Sequence, residues 1–166
     1  MALKDALLPE FDHEMGTTRR VLERTPETEL AWKPHEKSMS LGQLAGHIAN
    51  LPYWCSAMLA ASSFDLATAG EDANLGMPLS TADILANFDR KATAARAQLA
   101  AASDEDLLSP WTLKHGDHEI FTMPRIGAIR SFVMNHLIHH RGQYSVYLRL
   151  KNVPLPRIYG PTADEP

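Results

Sequence analysis

The sequence predicts an all-α fold, a four-helix bundle with a small β-hairpin ahead of the last helix. Three observations carry that reading. Four long segments repeat apolar residues at three- and four-residue steps, the spacing of amphipathic helices. One run, Trp111 to Thr122, alternates instead in strand fashion around the pair Gly116-Asp117. A length of 166 residues with 45% apolar content suits one compact domain, spanning residues 1–166.

Taken in order, Leu8, Phe11, Met15, Thr18 and Leu22 mark a first helix from about Leu3 to Glu23. Thr25-Pro26-Glu27-Thr28-Glu29 reads as a short helical turn, with proline at a first-turn position. Ser40-Leu41-Gly42-Gln43 matches the capping box, in which serine and glutamine satisfy orphan amides reciprocally. A second helix follows to about Ala61, its inner stripe formed by Leu44, His47, Ile48, Leu51, Cys55 and Met58, and Pro52 is expected to kink it. Ser62 to Leu79 reads as a long loop that can carry the chain across the molecule. Ser80 then opens a third, alanine-rich helix along Ile84, Leu85, Phe88, Ala92, Ala95 and Leu99. Ser103-Asp104-Glu105-Asp106 can cap a short turn before Pro110, and Pro124 suits the start of the fourth helix, which runs to Leu150 along Ile126, Ile129, Val133, Leu137, Tyr144 and Leu148. After Asn152, Pro154 and Pro156 hold the tail extended, and its apolar residues are expected to lie as a strap along a groove between helices.

Charge and cysteine content exclude several functions. A net charge of −4 gives no basic surface for phosphates, so nucleic acid is not an expected partner. The single cysteine, Cys55, cannot form an internal disulfide, and the first residues lack the apolar core of a signal peptide, so a cytoplasmic protein is expected. No apolar run reaches the ~20 residues of a membrane span, so no membrane association is expected. Glycine-rich nucleotide loops are absent as well.

The chemistry concentrates in Asn135-His136-Leu137-Ile138-His139-His140-Arg141-Gly142-Gln143. At about 100° per residue, His136 and His140 fall about 40° apart and one turn up, so both imidazoles can address one centre, whereas His139 lies about 100° round from His140. Zinc and its neighbours usually take at least three protein ligands, so a third must come from another helix. His47 is best placed, on the apolar stripe of the second helix. His13 could face either way, and His35, His115 and His118 sit in loops or the hairpin. A lone inward histidine would read as a hydrogen-bonded core residue; the pair one turn apart is what turns His47 into a ligand candidate.

Two stretches resemble the DinB-like (DinB/YfiT-type) metalloenzyme family. One is Ser40-Leu41-Gly42-Gln43 continuing into Leu44-Ala45-Gly46-His47-Ile48, with Trp54 beyond; the other is the histidine-rich run continuing to Tyr147-Leu148-Arg149-Leu150. The resemblance implies a bundle of up-down-down-up order and a divalent metal, zinc or nickel foremost, held by His47, His136 and His140. It also implies a small-molecule substrate, a low-molecular-weight thiol in a transferase-type reaction, and a homodimer, to which the flat alanine-rich third helix is suited. Three neutral imidazoles leave an open metal position at which a thiol or water would ionise. Arg141 or Tyr144 are the candidate substrate contacts. A metal-dependent hydrolase and a non-catalytic, metal-stapled bundle acting as a stress-linked binding protein are the alternatives. Against hydrolysis of the zincin type, Thr17, Met39 and Thr122 stand where the second histidine of that motif would be.

Overall fold

The computed structural model of the chain describes residues 2–70, 78 and 80–166. Its elements are α1 (Leu3–Leu22), α2 (Leu41–Ala60), β1 (Ser63–Asp65), α3 (Thr81–Ala101), α4 (Asp104–Leu108), β2 (Pro110–His115), β3 (His118–Pro124), α5 (Arg125–Ala128), a π-helical stretch (Ile129–Asn135) and α6 (His136–Leu150), with short 3₁₀ turns at Glu27–Glu29 and Leu66–Thr68. The chain is thus predominantly helical and carries a small sheet.

The helix starts follow the expected chemistry. Ser40 Oγ accepts from the Gln43 amide at 3.1 Å while Gln43 Oε1 accepts from the Ser40 amide at 2.8 Å. Ser80 caps α3 and Ser103 caps α4 in the same way, by accepting from the amide three residues on. Pro52 lies inside α2, which continues through it to Ala60. At the far end of α6, Asn152 adopts a left-handed conformation (φ 58°), the Val153 amide bonds the Leu148 carbonyl, and the Asn152 amide bonds that of Arg149, a Schellman stop.

α2 lies against α3 and α6, and α1 also lies against α3 and α6. Side chains cross-link these neighbours: Asp12 to Arg96 and Arg19 to Asp89 join α1 and α3, the Asn87 amide reaches the Ala49 carbonyl from α3 to α2, and Glu10 to Arg130 and Glu14 to Arg141 tie α1 to the C-terminal helical stretch. Leu7, Phe11, Ile48, Leu51, Phe88, Leu99, Val133, Leu137 and Leu148 meet in one core. Among the described residues no helix is long and apolar enough to cross a membrane.

Two expectations need correction. The hairpin of β2 and β3 is part of a three-stranded sheet, because β1, from within the stretch expected to be loop, pairs parallel to β2 in the register Ser63↔Thr112, Phe64↔Leu113, Asp65↔Lys114. Three residues are too few to show alternation. What fixes β1 is its end, where Asp65 accepts from the amides of Ala67 and Gly116, both at 2.9 Å; Gly116 itself turns the hairpin at φ 59°. The rest of that expected loop, residues 71–77 and 79, lies outside the described residues.

The fourth helix is not one α-helix. In uninterrupted α geometry Ala128 would lie about 180° round from Leu137, facing water. Wider i→i+5 turns over Ile129–Asn135 absorb one extra residue, worth about 100° of rotation. Ala128 and Ile129 thereby share the buried side with Val133, Leu137, Tyr144 and Leu148.

Candidate metal centre

α2 and α6 present His47, His136 and His140 to one point. His136 Nε2 lies 3.3 Å from His47 Nε2 and 2.8 Å from His140 Nε2, and the potential ligand atoms of the three all fall within 4.8 Å of one another. Each histidine is half-buried. The capping box starts α2 in the register that places His47, and the π-helical stretch ends where His136 begins.

The outer ring nitrogens fix the tautomers. His136 Nδ1 lies 3.3 Å from the Phe132 carbonyl, and the His136 backbone amide bonds Val133 instead, leaving that carbonyl for the ring. His140 Nδ1 lies 2.7 Å from Gln143 Oε1. Both partners are acceptors, so both Nδ1 atoms carry the proton and both Nε2 atoms present bare lone pairs. Two such lone pairs 2.8 Å apart repel, and His47 can donate one hydrogen to only one of them. A cation satisfies all three, so the donor set fits a divalent metal.

The protonation states agree. Burial, then the neighbouring His140 and His136, pulls His47 down to about 4. Burial also lowers His136, with His140 adding to it and the Phe132 carbonyl opposing. His140 is lowered by burial, against the pull of Gln143. All three are neutral at pH 7, the form that ligates.

The other candidates lie elsewhere. His139 is exposed, its ring 4.9 Å from that of His140. His13 stacks on Tyr159, His35 accepts from the Lys37 amide, and His115 and His118 face each other across the hairpin. Arg141 points into the protein, where it pairs with Glu14 at 2.7 Å, both side chains being under a tenth exposed, and donates to Thr18 Oγ1 and to the Tyr159 hydroxyl. Tyr144 is fully buried; its phenol meets Thr25 at 2.7 Å, with the Thr25 hydroxyl donating onward to the Leu22 carbonyl. Neither opens on the histidines from these positions. Cys55 is buried and its thiol is pushed up to about 12 by desolvation, so it stays protonated.

A cleft of about 210 Å³ borders the cluster, lined by Ser38, Met39, Leu44, His140, Gln143 and Tyr147. A larger depression of 290 Å³ near Leu59, Gln98 and Asp106 holds no histidine, and its one carboxylate is engaged in capping α4. Sequence reasoning did not find Phe132 as a carbonyl acceptor, nor Ser38 and Met39 as cleft walls. The former depends on the π-helical turn, and the latter lie in a connection without periodicity.

The same arrangement of elements occurs in known proteins. A DinB-like protein from Bacillus cereus superposes with a TM-score of 0.75 at 23% identity, over 93% of this chain and 97% of that one. The DinB-like protein YjoA from Bacillus subtilis gives 0.70 at 18% identity, over 92% and 96%. In sequence, the uncharacterized protein YrdA of Bacillus subtilis is 25% identical over 169 aligned positions, covering 97% of this chain and 90% of YrdA. The DinB superfamily model matches residues 10–144, a span that begins within α1 and takes in α2, α3, the sheet and all three converging histidines. With that match, the chain belongs to the DinB superfamily.

Proposed function

We propose that the protein is a divalent-metal-dependent enzyme of thiol-transferase type, with His47, His136 and His140 as the ligands and zinc or nickel as the metal. The observation that carries it is the convergence of three neutral imidazoles beside an open cleft, an incomplete ligand set where a structural site would be closed. When bound, the ion would supply Lewis acidity, lowering the pKa of a thiol or water brought to it. The Phe132 carbonyl and Gln143 hold the imidazoles in the ligating tautomer, and the cleft walls receive the organic part of the substrate. The thiol rests on the resemblance of the histidine-rich run to thiol-using relatives.

The finer topology belongs to the same reading. Asp12–Arg96 with Arg19–Asp89 supports α3 running against α1, Glu10–Arg130 with Glu14–Arg141 supports α6 running along α1, and His47–His136 with Met58–Arg125 supports α2 running against α6. These pairings support an up-down-down-up four-helix bundle. A homodimer and a cytoplasmic setting complete the proposal. Light scattering at micromolar concentrations is expected to give twice 18.4 kDa; the monomer mass throughout would remove the dimer.

Elemental analysis of the purified protein, followed by a screen of small thiols against electrophilic acceptors with and without chelator, tests the function. One metal per chain with chelator-sensitive transfer is the expected result. Stoichiometric metal whose removal lowers the melting temperature, without transfer to any acceptor, would favour the non-catalytic staple.

A further inference from the structure

Gln143 stands at the junction of the histidine cluster and the cleft. It lies three residues beyond His140 on the exposed side of α6, and its carboxamide oxygen takes the His140 Nδ1 hydrogen at 2.7 Å. The amide nitrogen therefore points away from the ring, with two hydrogens and no protein acceptor among the described residues. Gln143 also lines the cleft. The other described walls offer Leu44 and Met39 as apolar surface, the hydroxyls of Ser38 and Tyr147, and the His140 ring. No lysine or arginine is among them, so this part of the cleft suits a neutral oxygen acceptor better than a carboxylate or phosphate.

We propose that Gln143 serves both sides of the site: its oxygen positions His140 for the metal, and its amide nitrogen donates to a carbonyl oxygen of an uncharged, amide-bearing small thiol in the cleft. The second half rests on the thiol reading above; the first does not. An acceptor behind a ligating imidazole fixes its tautomer and raises its basicity, and removing such partners typically weakens metal binding by about 10–100-fold.

Two variants of the full chain separate the roles. Gln143→Leu removes acceptor and donor together, whereas Gln143→Glu keeps an acceptor for Nδ1 and loses the donor. Zinc affinity is measured by competition with a chelator, and binding to the zinc-loaded protein is compared for N-acetylcysteamine, which has an amide carbonyl, and ethanethiol, which does not. In Gln143→Leu, zinc affinity is expected to drop about 10–100-fold with the melting temperature of the metal-free protein unchanged, since the side chain is exposed. Gln143→Glu is expected to recover zinc affinity, yet its preference for N-acetylcysteamine over ethanethiol should shrink about tenfold, the worth of one hydrogen bond. Wild-type zinc affinity in Gln143→Leu would overturn the positioning role. An undiminished preference in Gln143→Glu would overturn the donor role. Failure of the zinc-loaded wild type to bind either thiol would overturn the thiol reading and the donor role with it, while the zinc measurements still decide the first half.

Discussion

At the scale of residues, spacing was informative about which atoms converge and silent about what lies behind them. His136 and His140 one turn apart and His47 on an inward stripe could be read directly, because helical geometry alone fixes those angles. The Phe132 carbonyl could not, since an α-helix would have given it to the His136 amide. Replacing His136 or His140 by alanine should abolish stoichiometric metal, whereas His139→Ala, which removes an exposed ring outside the cluster, should leave it; elemental analysis of the three variants checks this, and equal loss in all would assign the wrong face. The shifted titration of His47 gives a second expectation for the metal-free protein. Its folded pKa of about 4 lies below the ordinary 6.5, so above pH 6.5 both folded and unfolded states are neutral and pH has no effect. As pH falls through that window, the unfolded chain takes up a proton that the folded one refuses. Stability should then decline, by about 2 kcal/mol at pH 5 for this one group. Denaturant titrations of wild type and His47→Phe at pH 7 and pH 5 isolate the effect; a stability difference that is the same at both pH values would contradict it.

At the scale of elements, the caps were legible because their chemistry is local, as Ser40 with Gln43 shows. β1 and the π-helical stretch were not. β1 owes its strand geometry to a partner about fifty residues away, and Ile126, Ile129, Val133 and Leu137 fit an α-helical stripe as well as they fit the real helix. Only the burial of Ala128 in the fold reveals the difference, since in α geometry it falls on the wrong side. Deleting the exposed Ser131 should remove the extra residue together with the wide turns and leave both halves of the rod in their present register, whereas inserting one alanine beside it should rotate one half by about 100° against the other. In the insertion variant either Ile129 turns toward water, costing about 1.5–3 kcal/mol, or the α6 histidines leave His47. A lower melting temperature or lost zinc stoichiometry is expected for the insertion and not for the deletion, in a metal-binding assay run beside calorimetry. An insertion variant unchanged in both would mean that the rod absorbs the added residue without the register mattering.

At the scale of the whole molecule, the C-terminal tail closes the side of the bundle where α1 meets α6. Val153, Leu155 and Ile158 pack on the core, and Pro156 is buried. Arg149 and Arg24 hold Asp164 and Glu165, while the Tyr159 hydroxyl donates to the Glu14 carboxylate and accepts from Arg141. A strap was legible from prolines spaced among apolar residues, but its anchor was not, because Arg141 read as a substrate contact and nothing in the spacing paired it with Glu14 until the fold buries them together. The pair needs the tail. An ion pair withdrawn from water is sustained by further hydrogen bonds, and the phenol of Tyr159 supplies one to each partner. Removing residues 153–166 should therefore lower the melting temperature through two losses, the apolar cover and the third member of the Glu14–Arg141 cluster. Tyr159→Phe should reproduce only the second, a smaller drop of about 1–3 kcal/mol. Because these contacts reach Arg141 and not His140, zinc stoichiometry should survive both changes. Calorimetry with metal analysis decides it: a truncated protein that melts as before but no longer binds zinc would show that the tail supports the metal site and not the bundle.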